Sequence, residues 1–312
     1  MDIILHAFNG VLTIMLIIAV GVFLDRKGWV SEEIVSFISK MVNYVCLPPY
    51  MISSILARFH HNQLMEMVNG LFVPFVTMVA GYLAAKLIAK VIGVKKEHRS
   101  IFTICVGFSN TIFIGLPLCV ALFGDEAVPY IMLYYMVNTC LFWTIGVHDL
   151  AADNGEEVPF FSRKTLETIF CPPLMGFVAG VLMVVLDLGL PKSIFSAFQI
   201  VGSMTTPLAM VFIGIAISKT DWSHFRPDLE LFVALAGRYI ICPFIVIALL
   251  PFVHLDSLMG RVFVIMAAMP AMTNISVVSR QYGGDYKYAA VQSAASTLLA
   301  IIAIPFYMWL IH

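Results

Sequence analysis

A chain of 312 residues that is 61% hydrophobic, only 12% charged and has a mean hydropathy of +0.95 lies outside the composition of soluble domains. Its formal net charge of −1 provides no general field for nucleic acid, so any attraction must be local. The six cysteines all fall in apolar segments without CxxC or Cys/His spacing; they read as small hydrophobes, and neither a metal nor a cofactor is expected.

Taken in order, the chain gives ten apolar segments, at about 5–24, 34–56, 70–93, 101–123, 127–148, 168–188, 197–218, 229–250, 260–281 and 287–311. The first lacks a basic start and reads as a span rather than a cleavable signal. The longest polar interruption, Asp149 to Glu167, reads as a linker between residues 1–148 and residues 168–312. The expected fold class is therefore an all-α polytopic membrane protein with ten transmembrane helices.

Basic residues set the orientation. With the N-terminus outside, the inner loops hold Arg26, Lys27, Lys95, Lys96, Arg99, Arg163, Lys164 and Arg226 among others, and the outer side holds only Arg58, Lys192 and Arg261. That bias predicts a cell (inner) membrane protein with a cytoplasmic 149–167 linker and both termini extracytoplasmic.

Four landmarks repeat at an offset near 160. Leu47-Pro48 matches Thr206-Pro207, Phe123-Gly124-Asp125 matches Gly283-Gly284-Asp285, Asp25 matches Asp187, and Asn110 falls against Pro270. Five spans per copy is odd, so the copies must be inverted, the plan of secondary transporters with mid-membrane sites on discontinuous helices.

The fourth segment carries Gly107-Phe108-Ser109-Asn110-Thr111 and, further on, Gly115-Leu116-Pro117. The ninth carries Met269-Pro270-Ala271-Met272-Thr273-Asn274-Ile275-Ser276. Pro117 removes a hydrogen bond from the carbonyl of Phe113, and Pro270 does the same to Met266. Helices 4 and 9 are thus expected to be broken and to cross at mid-membrane. Polar backbone at that depth is tolerated only where protein or a watery cavity shields it. Asn110, Thr111, Gly115, Pro117, Pro270, Thr273 and Asn274 become the candidate substrate site, with half-helix ends able to meet an anion.

Arg238, near the middle of the eighth segment, also needs a partner. Two are open: carbonyls freed by the breaks, or a substrate carboxylate that meets its planar fork. Asn138 and Gln292, in spans five and ten, are possible lining, with packing between helices as the alternative.

These motifs resemble the auxin efflux carrier family, which includes plant PIN exporters and bacterial malonate and malate permeases. The likeness rests on the ten-span inverted plan, on Ser109-Asn110-Thr111 to Gly115-Leu116-Pro117 and on Pro270 to Asn274. The short linker makes the chain similar to the bacterial members. The resemblance implies a scaffold of spans 1, 2, 6 and 7, a homodimer formed through it, and an elevator-like carrier of a small organic acid anion on a moving bundle of spans 3–5 and 8–10. It would put Pro48 and Pro207 where scaffold meets bundle, with Cys46, Thr205 and Thr206 as possible lining and a structural kink as the alternative. A proton or sodium ion is the possible coupling partner. An anion channel is the rival reading. An intramembrane enzyme is the weaker one, because no catalytic Asp pair, Ser/His pair, HExxH or P-loop occurs.

Overall fold

The computed structural model describes residues 2–58, 70–155, 169–225, 227–253 and 255–311, with the side chains of 2–11 and 58 excluded. Residues 156–167 of the expected linker, and Arg163, Lys164 and Arg226 of the inner-loop count, lie outside the described residues.

Among the described residues the chain is all-helical and contains no β-strand, as its apolar segments and scarcity of strand-type alternation require. The first half runs α1 (Asp2–Arg26), α2 (Glu32–Lys40), α3 (Leu47–Arg58), α4 (Phe72–Val91), α5 (Lys96–Gly107), α6 (Leu116–Phe123), α7 (Val128–Leu141) and α8 (Val147–Asp153). The second runs α9 (Pro172–Val185), α10 (Lys192–Ser203), α11 (Thr205–Ser218), α12 (Leu229–Ala236), α13 (Cys242–Leu249), α14 (Ser257–Ala267), α15 (Ile275–Gln281) and α16 (Tyr286–Leu310). Among the described residues, five continuous stretches are long and apolar enough to cross a membrane: Phe72–Val91, Asp125–Asp153, Lys192–Ser218, Leu229–Phe252 and Tyr286–Leu310.

Several α-segments are preceded by a wide π-type turn, which in all but one case joins them to the helix before. Such turns occupy Met41–Cys46, Thr111–Gly115, Phe142–Gly146 and Gly237–Ile241. Three are followed at the second residue of the next helix by proline: Pro48, Pro117 and Pro243. The cause is local. A proline lacks the N–H that an α-turn needs, and a wide turn bonds five residues back instead of four. The Leu47 N–H accordingly donates to Val42 and the Cys242 N–H to Gly237.

The chain forms two compact units, and neither coincides with a sequence half. One contains Met1–Gly70, Ile112–Leu133 and Phe170–Lys219; the other contains Leu71–Thr111, Tyr134–Ile169 and Thr220–His312. In the first, α1 lies against α11 where Gly21 faces Val211 and Gly214 faces Ile18, with no room for a Cβ. Small residues allow such close backbone contact where lipid offers no hydrophobic drive. Likewise α9 rests on α3, where a Cβ on Gly176 would stand 2.7 Å from the Pro48 Cα.

The second unit is built around aromatic rings. Phe108 packs against Tyr82 at 5.3 Å and edge-on to Phe142 at 5.8 Å, within a core that includes Ile104, Leu150, Ile275 and Val278. Polar ties hold its helix ends: the Tyr82 hydroxyl donates to Asp149 at 2.6 Å, and Lys86 pairs with the same carboxylate at 2.5 Å.

Candidate functional site

Both polar stretches interrupt their helices. α5 stops at Gly107, Phe108 is extended (φ −116°, ψ 136°), and helix resumes only at Thr111. α14 stops at Ala267 and helix resumes at Ile275. The first interruption falls inside the Gly107–Pro117 stretch, though not at Pro117 itself. The π-type turn at Thr111–Gly115 absorbs that proline, and the opening lies upstream at Phe108–Asn110. Pro270 does sit inside the second opening.

The two openings pair with each other within the second unit. Ser109 and Ala271 form an isolated antiparallel bridge, and the Asn110 N–H donates to the Pro270 carbonyl at 2.8 Å. The Asn110 carboxamide donates to the Thr273 hydroxyl at 2.5 Å. Each opening is also stapled by a following helix. Asn138, fully buried on α7, accepts from the Ser109 N–H at 2.9 Å and donates to the Ser109 carbonyl at 3.2 Å, so its side chain mimics a neighbouring strand. On α16, the Ser296 hydroxyl accepts from the Ala271 N–H at 2.9 Å, and the Ser293 hydroxyl donates to the Ala271 carbonyl at 3.4 Å.

Arg238 closes the arrangement. It lies on the Gly237–Ile241 turn and is 1% exposed. Its Nε donates to the Met269 carbonyl at 2.6 Å, Nη1 to Val106 at 2.7 Å, and Nη2 to Ala267 at 3.0 Å and to the Ser109 hydroxyl. Ser109 in turn donates to the Met266 carbonyl at 2.9 Å, the acceptor that Pro270 leaves without its helical partner. Val106 and Ala267 lie in the last turns of α5 and α14, where each helix carries about half a negative charge. One guanidinium therefore offsets two helix ends, which is the compensation that a buried arginine requires. The partner carbonyls, not an open pocket, occupy its fork.

The remaining candidates fall in distinct places. Asn110 and Thr111 are buried at 3% and 2% exposure, Thr273 is half-buried, and Asn274 is exposed. The Asn274 side chain makes no capping bond, so the carboxamides of Asn110 and Asn274 do not behave as an equivalent pair. Gly115 and Pro117 are buried in the first unit. Cys46, Pro48, Thr205, Thr206 and Pro207 also belong to the first unit; Thr206 lines a cavity of about 270 Å³ there with Tyr50, Asp125 and Gln199. Thr205 is buried, and its hydroxyl has no hydrogen-bond partner among the described residues. Gln292, 2% exposed, lies at a separate cavity in the second unit. Sequence reasoning passed over Ser109 and Ser296 as site residues. Ser109 stood inside the quoted motif, whereas Ser296 sits in an unremarkable Ser-Ala-Ala-Ser run.

Comparison with known proteins decides the family. The family described as Membrane transport protein matches residues 6–308. The chain belongs to that family. It is the auxin-efflux-carrier-like family to which the Ser109–Pro117 and Pro270–Asn274 stretches pointed. A protein named as an uncharacterized transporter in Methanothermobacter thermautotrophicus is 25% identical over 303 residues, covering 95% of this chain and 96% of that one. An uncharacterized transporter of Methanocaldococcus jannaschii is 20% identical over 312 residues, covering 96% and 97%. The protein is thus a multi-pass membrane transport protein with a small transported substrate.

Proposed function

We propose that this membrane transport protein is a secondary transporter of a small organic acid anion, a mono- or dicarboxylate such as malonate or malate, bound at the paired breaks. The observation that carries the reading is the Ser109–Ala271 bridge, with Asn110 and Thr273 bonded beside it. Neutralisation of the two helix C-terminal ends by Arg238 supports the sign of the ligand. With those ends cancelled, the positive starts of the resumed segments at Thr111 and Ile275 remain, and they favour an anion. In this reading Arg238 positions the breaks and does not touch the substrate. Asn110, Thr111, Thr273 and Asn274 do.

The same proposal takes the ten apolar segments as two inverted five-span repeats with both termini outside. It also takes the protein as a homodimer that works by elevator-like alternating access. The interleaved units support a moving body: spans one, two, six and seven fall together in one of them, joined by Ile112–Leu133. The test is uptake of a panel of labelled mono- and dicarboxylates into proteoliposomes, alongside amino acids and sugars as controls. Saturable counterflow of at least one carboxylate is expected. Ohmic unitary currents, or no carboxylate exchange at all, would overturn the reading.

A further inference from the structure

Three helices of the second unit begin around one imidazole. His98 is in the first turn of α5, Glu230 in the first turn of α12, and Asp285 is the N-cap of α16. His98 Nδ1 lies 3.1 Å from Glu230 Oε2, and Nε2 lies 3.4 Å from Asp285 Oδ2. The ring stacks on Tyr288 at 3.9 Å and is only 14% exposed. Asp285 divides its oxygens: Oδ1 accepts from the N–H groups of Lys287 and Tyr288, and Oδ2 faces the histidine. The group borders a cavity of about 220 Å³ that reaches the buried Gln292.

Carboxylates accept hydrogen bonds and a neutral imidazole has a single N–H, so neutral His98 satisfies only one of its two neighbours. The imidazolium satisfies both. The charged surroundings agree with a cation: Glu97, Asp228, Glu230 and Asp285 face the cavity against one lysine, Lys95, and the imidazoles of His98 and His224. Glu97 approaches Nε2 at 4.0 Å, while Lys287 is turned to His224 at 3.4 Å. From α8, Asp153 accepts from the Ser100 N–H, and on α4 Lys86 is held by Asp149.

The position of this group relative to the breaks gives it a function. Eight residues on from each member of the group lies a residue that holds a break: His98 to Val106 on α5, Glu230 to Arg238 on the turn that continues α12, and Asp285 to Ser293 on α16. Eight residues of helix are about 12 Å. Val106 and Arg238 are bonded to each other, and Ser293 bonds Ala271. One proton at His98 thus ties together the starts of three elements that, two turns further on, fix both openings.

We propose that His98 is the binding site of a coupling proton, taken from water onto the ring nitrogen that lacks one and carried together with the anion. The proposal rests on the anion-transporter reading above. By linkage, a proton that favours the closed set of three helices tightens anion binding, and the anion favours the proton equally.

The experiment uses full-length protein in proteoliposomes with labelled malonate and the membrane potential clamped. Counterflow is measured at equal pH, then net influx is measured with acid outside. For one coupled proton, a gradient of about one pH unit raises accumulation by up to about tenfold. His98→Gln keeps two N–H donors on one amide, so it can bond both carboxylates without titrating. It should retain counterflow and lose the acid stimulation. Glu230→Gln, which leaves His98 with one carboxylate, should weaken the stimulation and serves if His98→Gln does not fold. Stimulation of His98→Gln equal to that of the wild type, or a wild type indifferent to the gradient, would overturn the proton site while leaving the carrier reading intact. Absence of wild-type counterflow for every carboxylate tested would instead sink the carrier reading, and the coupled proton with it.

Discussion

The first break takes three residues, Phe108–Asn110, and the second takes seven, Ala268–Asn274. The short one is sealed: Phe108 and Ser109 are fully buried and Asn110 is nearly so. Each polar backbone group of Ser109 is taken by Asn138, which allows the chain to leave the helix and return within one turn. The long break spreads its polar groups over Arg238, Ser293 and Ser296, then emerges at Thr273 and Asn274, which are not buried. One break is a frame and the other presents a face. Both depend on Arg238, which bonds Val106 and Ser109 on the first side and Ala267 and Met269 on the second.

The comparison breaks most completely at that shared residue. Arg238→Met withdraws the guanidinium from three buried carbonyls, leaving Val106 only the weak Cys242 thiol donor, and an unpaired buried carbonyl costs about 1–3 kcal/mol. A loss of roughly 3–5 kcal/mol is expected, as when one partner of a buried ionic contact is removed. Purified in detergent, the variant should unfold at much lower temperature or fail to accumulate. Arg238→Lys keeps the charge but cannot span three carbonyls with one ammonium, so its stability should fall between. A methionine variant as stable as wild type would remove Arg238 from its central place.

Much of this was legible in the chain. Asn, Thr, Gly and Pro inside apolar segments cannot be explained by lipid contact, so Ser109–Pro117 and Pro270–Asn274 stood out. Arg238 announced its own need for partners, and carbonyls at the breaks, one of the two open possibilities, fill its fork; they are those of Val106, Ala267 and Met269 rather than the Phe113 and Met266 carbonyls that the prolines free. What could not be read was the exact opening. Pro117 looks like a helix breaker, yet a π-type turn carries the chain past it; such turns leave no trace in hydrophobic periodicity. The unlike settings of Asn110 and Asn274, one buried and one exposed, were hidden for a related reason. Sequence offset fixes position along a helix, not which way a residue faces once a seven-residue opening rotates it. Ser296 carried no signal, since a serine can bond within its own helix as readily as across to another, and this one also donates to Ser293.

A second pair of variants sharpens the contrast between frame and face. Asn138→Ala removes both bonds to Ser109 in a fully buried setting and should cost about 2–3 kcal/mol. Ser296→Ala removes a single acceptor from the Ala271 N–H, for about 1 kcal/mol. Thermal unfolding of the two proteins side by side gives the order. If Ser296→Ala proved the more damaging, the second break would be the rigid one and the assignment would reverse.

The smallest effect on folding is expected at Asn274, and it is the most informative for transport. The residue is exposed and its carboxamide makes no capping bond, so Asn274→Ala should change stability by less than about 0.5 kcal/mol. In the proposed site this exposed carboxamide, which does not cap the helix, is a ligand donor rather than part of the fold. If it donates to a bound carboxylate, its removal should weaken malonate binding about tenfold, or about 1.4 kcal/mol. Asn110→Ala differs in kind. It deletes the 2.5 Å bond to Thr273, so it should lower both stability and affinity. Measuring both quantities for both variants separates the roles. Affinity lost without stability at Asn274, and lost together at Asn110, is the pattern of a face held on a frame. Unchanged affinity in Asn274→Ala would confine the ligand to the buried side, leaving Asn110, Thr111 and Thr273 to hold the anion.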